Sequence, residues 1–180
     1  MSINNTSFIW TWTWNDQTDK TNKTTEQENK KPDFLAKSPL GKLPVIQVDN
    51  IHYLFDANTI CRFLCSKNDK VVLIGTDLNG SLVDQWLEFE STLSTEQLIQ
   101  KVNEHLSAIE DEAKRAHLVQ DRATLSLADI VVWSALYQHL NAAAATTSHR
   151  SQFPVVAKWF DQLIEENQKF FTQAIKLAKL

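Results

Sequence analysis

The stretch SFIWTWTWNDQ places Trp10, Trp12 and Trp14 on alternate positions, with Thr11 and Thr13 between them. On a β-strand that spacing sets three indoles on one face, where they can stack on a sugar or a base, or floor a packed core. The run continues from Phe8 and Ile9 and no helix-forming sequence follows it, so core packing is the expected use. Cys61 and Cys65 sit four apart in ICRFLC, one helical turn, a spacing that neither a structural disulfide nor a zinc site favours. They read as thiols in a reducing compartment. His52, His105, His117, His139 and His149 are scattered, with no ligand pair of the HExxH kind. Neither a metal nor a cofactor is expected, and no catalytic constellation is visible.

The bulk numbers narrow the class. With 43% hydrophobic and 22% charged residues, but only 3 Gly and 4 Pro, the 180-residue chain has the composition of a helix-rich globular protein. Its formal charge of -4 argues against strong nucleic-acid binding, which needs clustered Lys and Arg to neutralise phosphates. No leader-like segment and no stretch of membrane-spanning length occurs, so a cytoplasmic protein without membrane contact is expected.

Elements must position these groups. From Asn15 to Asp33 every residue is polar or proline, so residues 15–33 read as a solvated loop with no face to bury. FLAKSPLG is turn-like, KLPVIQVD and NIHYLF are strands joined by a tight Asp49-Asn50 turn, and DANTICRFLCSK is a helix carrying Ile60, Phe63 and Leu64, capped by Asp56. Gly75 and Gly80 mark DKVVLIGTDLNG as a connector. The layout divides into a strand-containing lobe over 1–69, a linker over 70–80 and an all-helical lobe over 81–180.

Beyond the connector, SLVDQWLEFESTL repeats Leu82, Trp86, Phe89 and Leu93 along one side of a helix. Ser94 with Gln97 opens the next, whose stripe is Leu98, Val102, Leu106 and Ile109. In TLSLADIVVWSALYQHL, Ser126 can cap the amide of Asp129 while the Asp129 carboxylate reaches back to the Ser126 amide, and Leu125 can pack on Ile130. The helix behind is apolar nearly all round, so its start cannot rely on water, and loss of Asp129 is expected to cost about 1–2 kcal/mol. Pro154 starts a further helix, and Phe170, Phe171, Ala174 and Ile175 form a last stripe. Trp86, Trp133 and Trp159 fall within apolar stripes as core. The chain stops inside helical periodicity, as a piece of a longer protein would.

A small strand-rich lobe with a Leu-Pro step, followed by helices that include a Ser-x-x-Asp-capped one, resembles the glutathione transferase fold, a reduced thioredoxin-like lobe joined to an all-helical lobe. LPVIQVD, FDANTICRFL and SLADIVVW carry the resemblance, which extends from Lys42 to Phe160. Within that superfamily, KLPVIQVDNIHYLFDANTICRFL, DQWLEFE and SLADIVVWSALY are similar to the transferase-like domains of eukaryotic aminoacyl-tRNA synthetases. Methionyl-tRNA synthetase comes first. The short interval between DQWLEFE and SLADIVVW is more like the glutamyl-prolyl enzyme or the multisynthetase scaffold subunit related to elongation factor 1.

The resemblance implies assembly rather than catalysis, through pairing with other transferase-like domains in a multi-synthetase complex; any aminoacyl-tRNA ligase activity would lie elsewhere in a longer chain. Transferases of this fold activate the glutathione thiol with a Tyr, Ser or Cys just after the first strand. Here Trp14 ends that strand and Asn15 and Asp16 follow, with Thr11, Thr13 and Thr18 as the remaining hydroxyls; an ionised Asp16 would oppose a thiolate. The family's acidic-Ser pair, which holds the γ-glutamyl end of glutathione, is Asp56-Ala57, while Pro44 keeps the family's cis-proline position. A relic of a glutathione site is therefore expected, with a working transferase as the alternative. The family's interface on the helix after the hairpin falls on Asn58, Arg62, Cys65 and Ser66, with Asp84 and Glu88 of the next helix as polar contacts.

Overall fold

The computed structural model describes residues 28–120, 124–141 and 148–178. Two compact units divide at Asn68 and Asp69. The Trp row, the hydroxyls of Thr11, Thr13 and Thr18, and Asn15 and Asp16 lie outside the described residues.

In the first unit a 3-10 turn at Glu28–Lys30 leads to the single helical turn α1 (Pro32–Leu35). The end of the stretch expected to be loop, up to Asp33, therefore holds two short turns. Pro32 supplies the fixed φ of a helix start, and no residue of α1 is buried. Strands β1 (Val45–Gln47) and β2 (Tyr53–Phe55) pair antiparallel with Ile46 opposite Leu54. Asp49 makes the turn between them: its Oδ1 accepts the amides of Ile51 at 3.0 Å and His52 at 2.8 Å, so the side chain stands in for a backbone acceptor. Helix α2 (Ala57–Lys67) follows directly and packs on both strands.

The second unit is helical: α3 (Val71–Ile74), α4 (Asp77–Thr92), α5 (Thr95–Ser107), a 3-10 turn at Glu112–Ala116, α6 (Leu127–Leu140), α7 (Ser148–Gln152), α8 (Pro154–Glu166) and α9 (Gln168–Ala178). Residues 70–80, the stretch expected to link the lobes, hold α3 and the first turn of α4. Gly80 has the composition of a turn signal, yet it lies buried within α4, where a Cβ would stand 3.3 Å from the Gly75 carbonyl oxygen. Close backbone approach, not chain reversal, is its use.

Helix α4 also departs from its expected stripe. Gly80, Val83, Trp86 and Leu87 are its buried residues, whereas Leu82, Phe89 and Leu93 are only half-buried. Helix α5 buries Leu98, Ile99, Val102 and Leu106 behind the expected Ser94–Gln97 capping box. Helix α6 contacts α4, α5 and α8, which accounts for its apolar surround. At its centre Trp133 stacks on Phe160 at 5.0 Å and meets Phe171 at 4.3 Å, so α6, α8 and α9 share one aromatic core. Phe171 is buried there, but Phe170 of the same predicted stripe is exposed.

Candidate functional site

In the first unit, the loop before β1 is shaped by three local constraints. The Asn29 amide donates to the Gly41 carbonyl at 2.7 Å, and the buried Ser38 hydroxyl donates to the Lys42 carbonyl at 3.0 Å. Gly41 adopts a φ of 63°, and an added Cβ would lie 2.6 Å from the Asn29 carbonyl oxygen. These contacts fix the approach to a cis Leu43-Pro44 peptide, the geometry that the resemblance implies.

At the other end of the hairpin, Asp56 turns the chain into α2 with a φ of 77°. A positive φ is uncommon for any residue but glycine, and here it accompanies the helix cap, in which the Asp56 carboxylate accepts the Thr59 amide at 2.9 Å. Ala57, next to it, places a methyl group where an acidic-Ser pair would offer a hydroxyl. The arrangement caps a helix and leaves one donor fewer for an anionic ligand.

The residues expected to form an interface separate by exposure. On α2, Ser66 is exposed, Asn58 and Arg62 are half-buried, and Cys65 is buried at 9% exposure. Cys65 is thus not presented at the surface; it packs with the buried side of the helix along with Ile60, and burial pushes its thiol pKa upward. Asp84 and Glu88 lie exposed on successive turns of α4, in the other unit. Neither Cys61 nor Cys65 is in a disulfide, and among the described residues no group of three or more His, Cys, Asp or Glu could hold a metal ion. No helix among them is long and apolar enough to cross a membrane.

The Ser126–Asp129 pair forms the reciprocal cap. Ser126 Oγ accepts the Asp129 amide at 3.3 Å, and Asp129 Oδ2 accepts the Ser126 amide at 2.9 Å and the Ser126 hydroxyl at 2.6 Å. Both residues have no exposed surface. A fourth bond, from the Leu118 amide to Asp129 Oδ1 at 2.7 Å, has no signal in the sequence. The donor lies eleven residues upstream, beyond any local capping pattern.

These features define a class. The family models "Glutathione S-transferase, N-terminal domain" and "Glutathione S-transferase, C-terminal domain" match residues 8–67 and 85–167, and the chain belongs to that family. Poplar glutathione transferase F1 has the same fold, with a TM-score of 0.59 and 22% identity over 85% of this chain and 81% of that one.

Among curated relatives, elongation factor 1-gamma 3 of Oryza sativa subsp. japonica is 29% identical over 170 residues, 82% of this chain and 39% of that protein. The cytoplasmic methionine--tRNA ligase of Mus musculus is 32% identical over 142 residues, 68% of this chain and 14% of the ligase. The probable glutathione S-transferase GSTF2 of Oryza sativa subsp. japonica is 42% identical over 69 residues, 38% of this chain and 32% of its own length. The chain thus spans less than two fifths of each of these relatives. Two of the three carry names from protein synthesis.

Proposed function

We propose that this chain is a non-catalytic protein-interaction module of the translation machinery, cytoplasmic, pairing with another transferase-like domain as a heterodimer. The observation that carries the reading is at the start of α2. There the Asp56 carboxylate is committed to the Thr59 amide, and Ala57 offers a methyl where glutathione would need a hydroxyl. Asn15 and Asp16 after the Trp row add no thiol-activating donor in the sequence.

The finer reading places the module in a longer aminoacyl-tRNA synthetase, methionyl by preference, within a multi-synthetase complex; the match to the mouse ligase supports it. The elongation factor 1-gamma matches run over more of the chain and support a scaffold subunit in its place. Either parent uses the domain for assembly. A net charge of -4 disfavours tRNA as the direct ligand.

Affinity purification from native lysate tests the reading. A synthetase, elongation-factor subunit or related scaffold carrying a transferase-like domain should co-purify in stoichiometric amount. Arg62→Glu should reduce its recovery from a variant that circular dichroism shows to be folded. Unchanged recovery would move the interface off α2. The alternative, a working transferase, is favoured by the GSTF2 match. Retention on immobilised glutathione together with turnover of an electrophilic aryl chloride would decide for it.

A further inference from the structure

Helix α8 and the 3-10 turn at Glu112–Ala116 enclose a cavity of about 210 Å³. Pro154, Val155 and Trp159 of α8 give it an apolar wall, and Lys158 and Gln162 follow at helical spacing on the same face. Glu112 and Arg115 of the turn close the other side. The cavity therefore joins an apolar surface to three charged groups, and the arrangement of those charges decides what it can hold.

Two of the three cancel, because the Lys158 ammonium is bonded to the Glu112 carboxylate. The third is Arg115. Its Nε donates to the Ile109 carbonyl at 2.8 Å, which fixes the plane of the guanidinium, while its two terminal nitrogens hold no hydrogen bond among the described residues. Its charge acts on Glu112 across the turn, through space and less strongly than Lys158 does. Arg115 is half-buried, so its charge is screened less than one on open surface. A fork held from behind, with its outer donors unused, matches the two oxygens of a carboxylate. The wider groove beyond Lys158 turns acidic with Glu165 and Glu166, which keeps an anion at the Arg115 end.

We infer that the cavity between α8 and the 3-10 turn is a binding site for a small monocarboxylic acid with a compact apolar body, its carboxylate on the Arg115 fork and its body against Pro154, Val155 and Trp159. The volume sets the size: an apolar cavity of about 150 Å³ holds benzene, so this one takes an acid of about eight or nine non-hydrogen atoms. A single uncompensated positive charge beside an apolar wall suits a monoanion better than a phosphate, whose second charge and third oxygen would find no partner. The site lies wholly within the helical unit and shares no residue with the interface expected on α2.

Cyclohexanecarboxylate is the probe, titrated into the full chain by calorimetry and by ligand-observed NMR beside cyclohexanecarboxamide, which has the same shape and no charge. Saturable binding of the acid is expected, and the amide should bind about tenfold more weakly, because it loses the charge-assisted pair with Arg115. In Arg115→Met the two compounds should bind alike. The Arg115 Nε–H resonance of the parent, held by the Ile109 carbonyl, should shift saturably with the acid and reads the site without any variant. Val155→Trp, shown to be folded by circular dichroism, fills the cavity and should abolish binding. The inference is overturned if the acid shows no saturable binding up to about 10 mM, if the amide binds as tightly, if the Arg115 resonance stays fixed while the acid binds, or if either folded variant binds the acid as the parent does.

Discussion

The Asp129 carboxylate accepts the backbone amide of Leu118 at 2.7 Å while it also caps Ser126, so one buried side chain joins the start of α6 to the segment that follows the 3-10 turn. A cap of the ordinary kind serves its own helix. This one also satisfies a buried donor eleven residues away, and the His117 ring stands 3.6 Å from the same carboxylate.

Asp129→Ala should therefore cost more than the loss of an ordinary cap. It orphans the amides of Leu118 and Ser126 in a site closed to water, at about 1–3 kcal/mol each, so about 3 kcal/mol or more in total is expected. Ser126→Ala should cost about 1–2 kcal/mol. Urea denaturation of both variants checks the ranking; equal costs would mean that the Leu118 bond contributes nothing.

Gly41→Ala should destabilise the first unit by about 2 kcal/mol, because the residue holds a φ of 63° and a methyl group would meet the Asn29 carbonyl oxygen at 2.6 Å. A matched substitution at an exposed helical site, Ser66→Ala, should change stability by under about 0.5 kcal/mol. Thermal melts of the two variants read the difference.

His105 makes stability depend on pH. Burial lowers its pKa from 6.5 and outweighs the opposing bond to the Leu118 carbonyl. The unfolded chain then takes up the proton more readily than the native one, so the contribution of the neutral ring is complete above pH 6.5 and is lost as the pH falls through the native value. Denaturant midpoints measured from about pH 7.5 downward should fall less steeply for His105→Gln than for the parent.

Asp49 acts on a more acidic range. Its bonds to the amides of Ile51 and His52 and to the His52 ring bring its pKa from 3.8 down to about 2. The turn keeps its support above pH 3.8 and loses it as the pH falls through about 2. Amide exchange or chemical shifts of the hairpin followed across that range should show the loss, and Asp49→Asn should flatten it.

Ala57→Ser restores the missing hydroxyl at the α2 start. The gain of one hydrogen bond is worth about 1 kcal/mol, so the variant should be held on immobilised glutathione more strongly than the parent, with neither turning over an aryl chloride. Turnover by the parent would show that a thiol-activating donor exists that the sequence near Trp14 does not suggest.

Local chemistry is legible in the amino-acid sequence alone. The Asp49 turn, the Asp56 cap, the Ser94–Gln97 and Ser126–Asp129 boxes and the Pro154 start each depend on residues within four positions of one another, and side chains that close are paired by backbone geometry. The two-lobe layout follows from where those signals change character. Tertiary packing decides the rest. Whether Gly80 ends an element or lets α4 approach Gly75 depends on a neighbour in space. Whether Cys65 faces out or in, and which of Leu82, Val83, Phe89 and Leu87 are buried, depends on which neighbouring side chains fill the space beside each helix. The Leu118 amide finds Asp129, and His105 finds Leu118, across eleven and thirteen residues. Periodicity fixes which side chains share a face; only the packed neighbours determine whether that face is sealed or left open as a cavity.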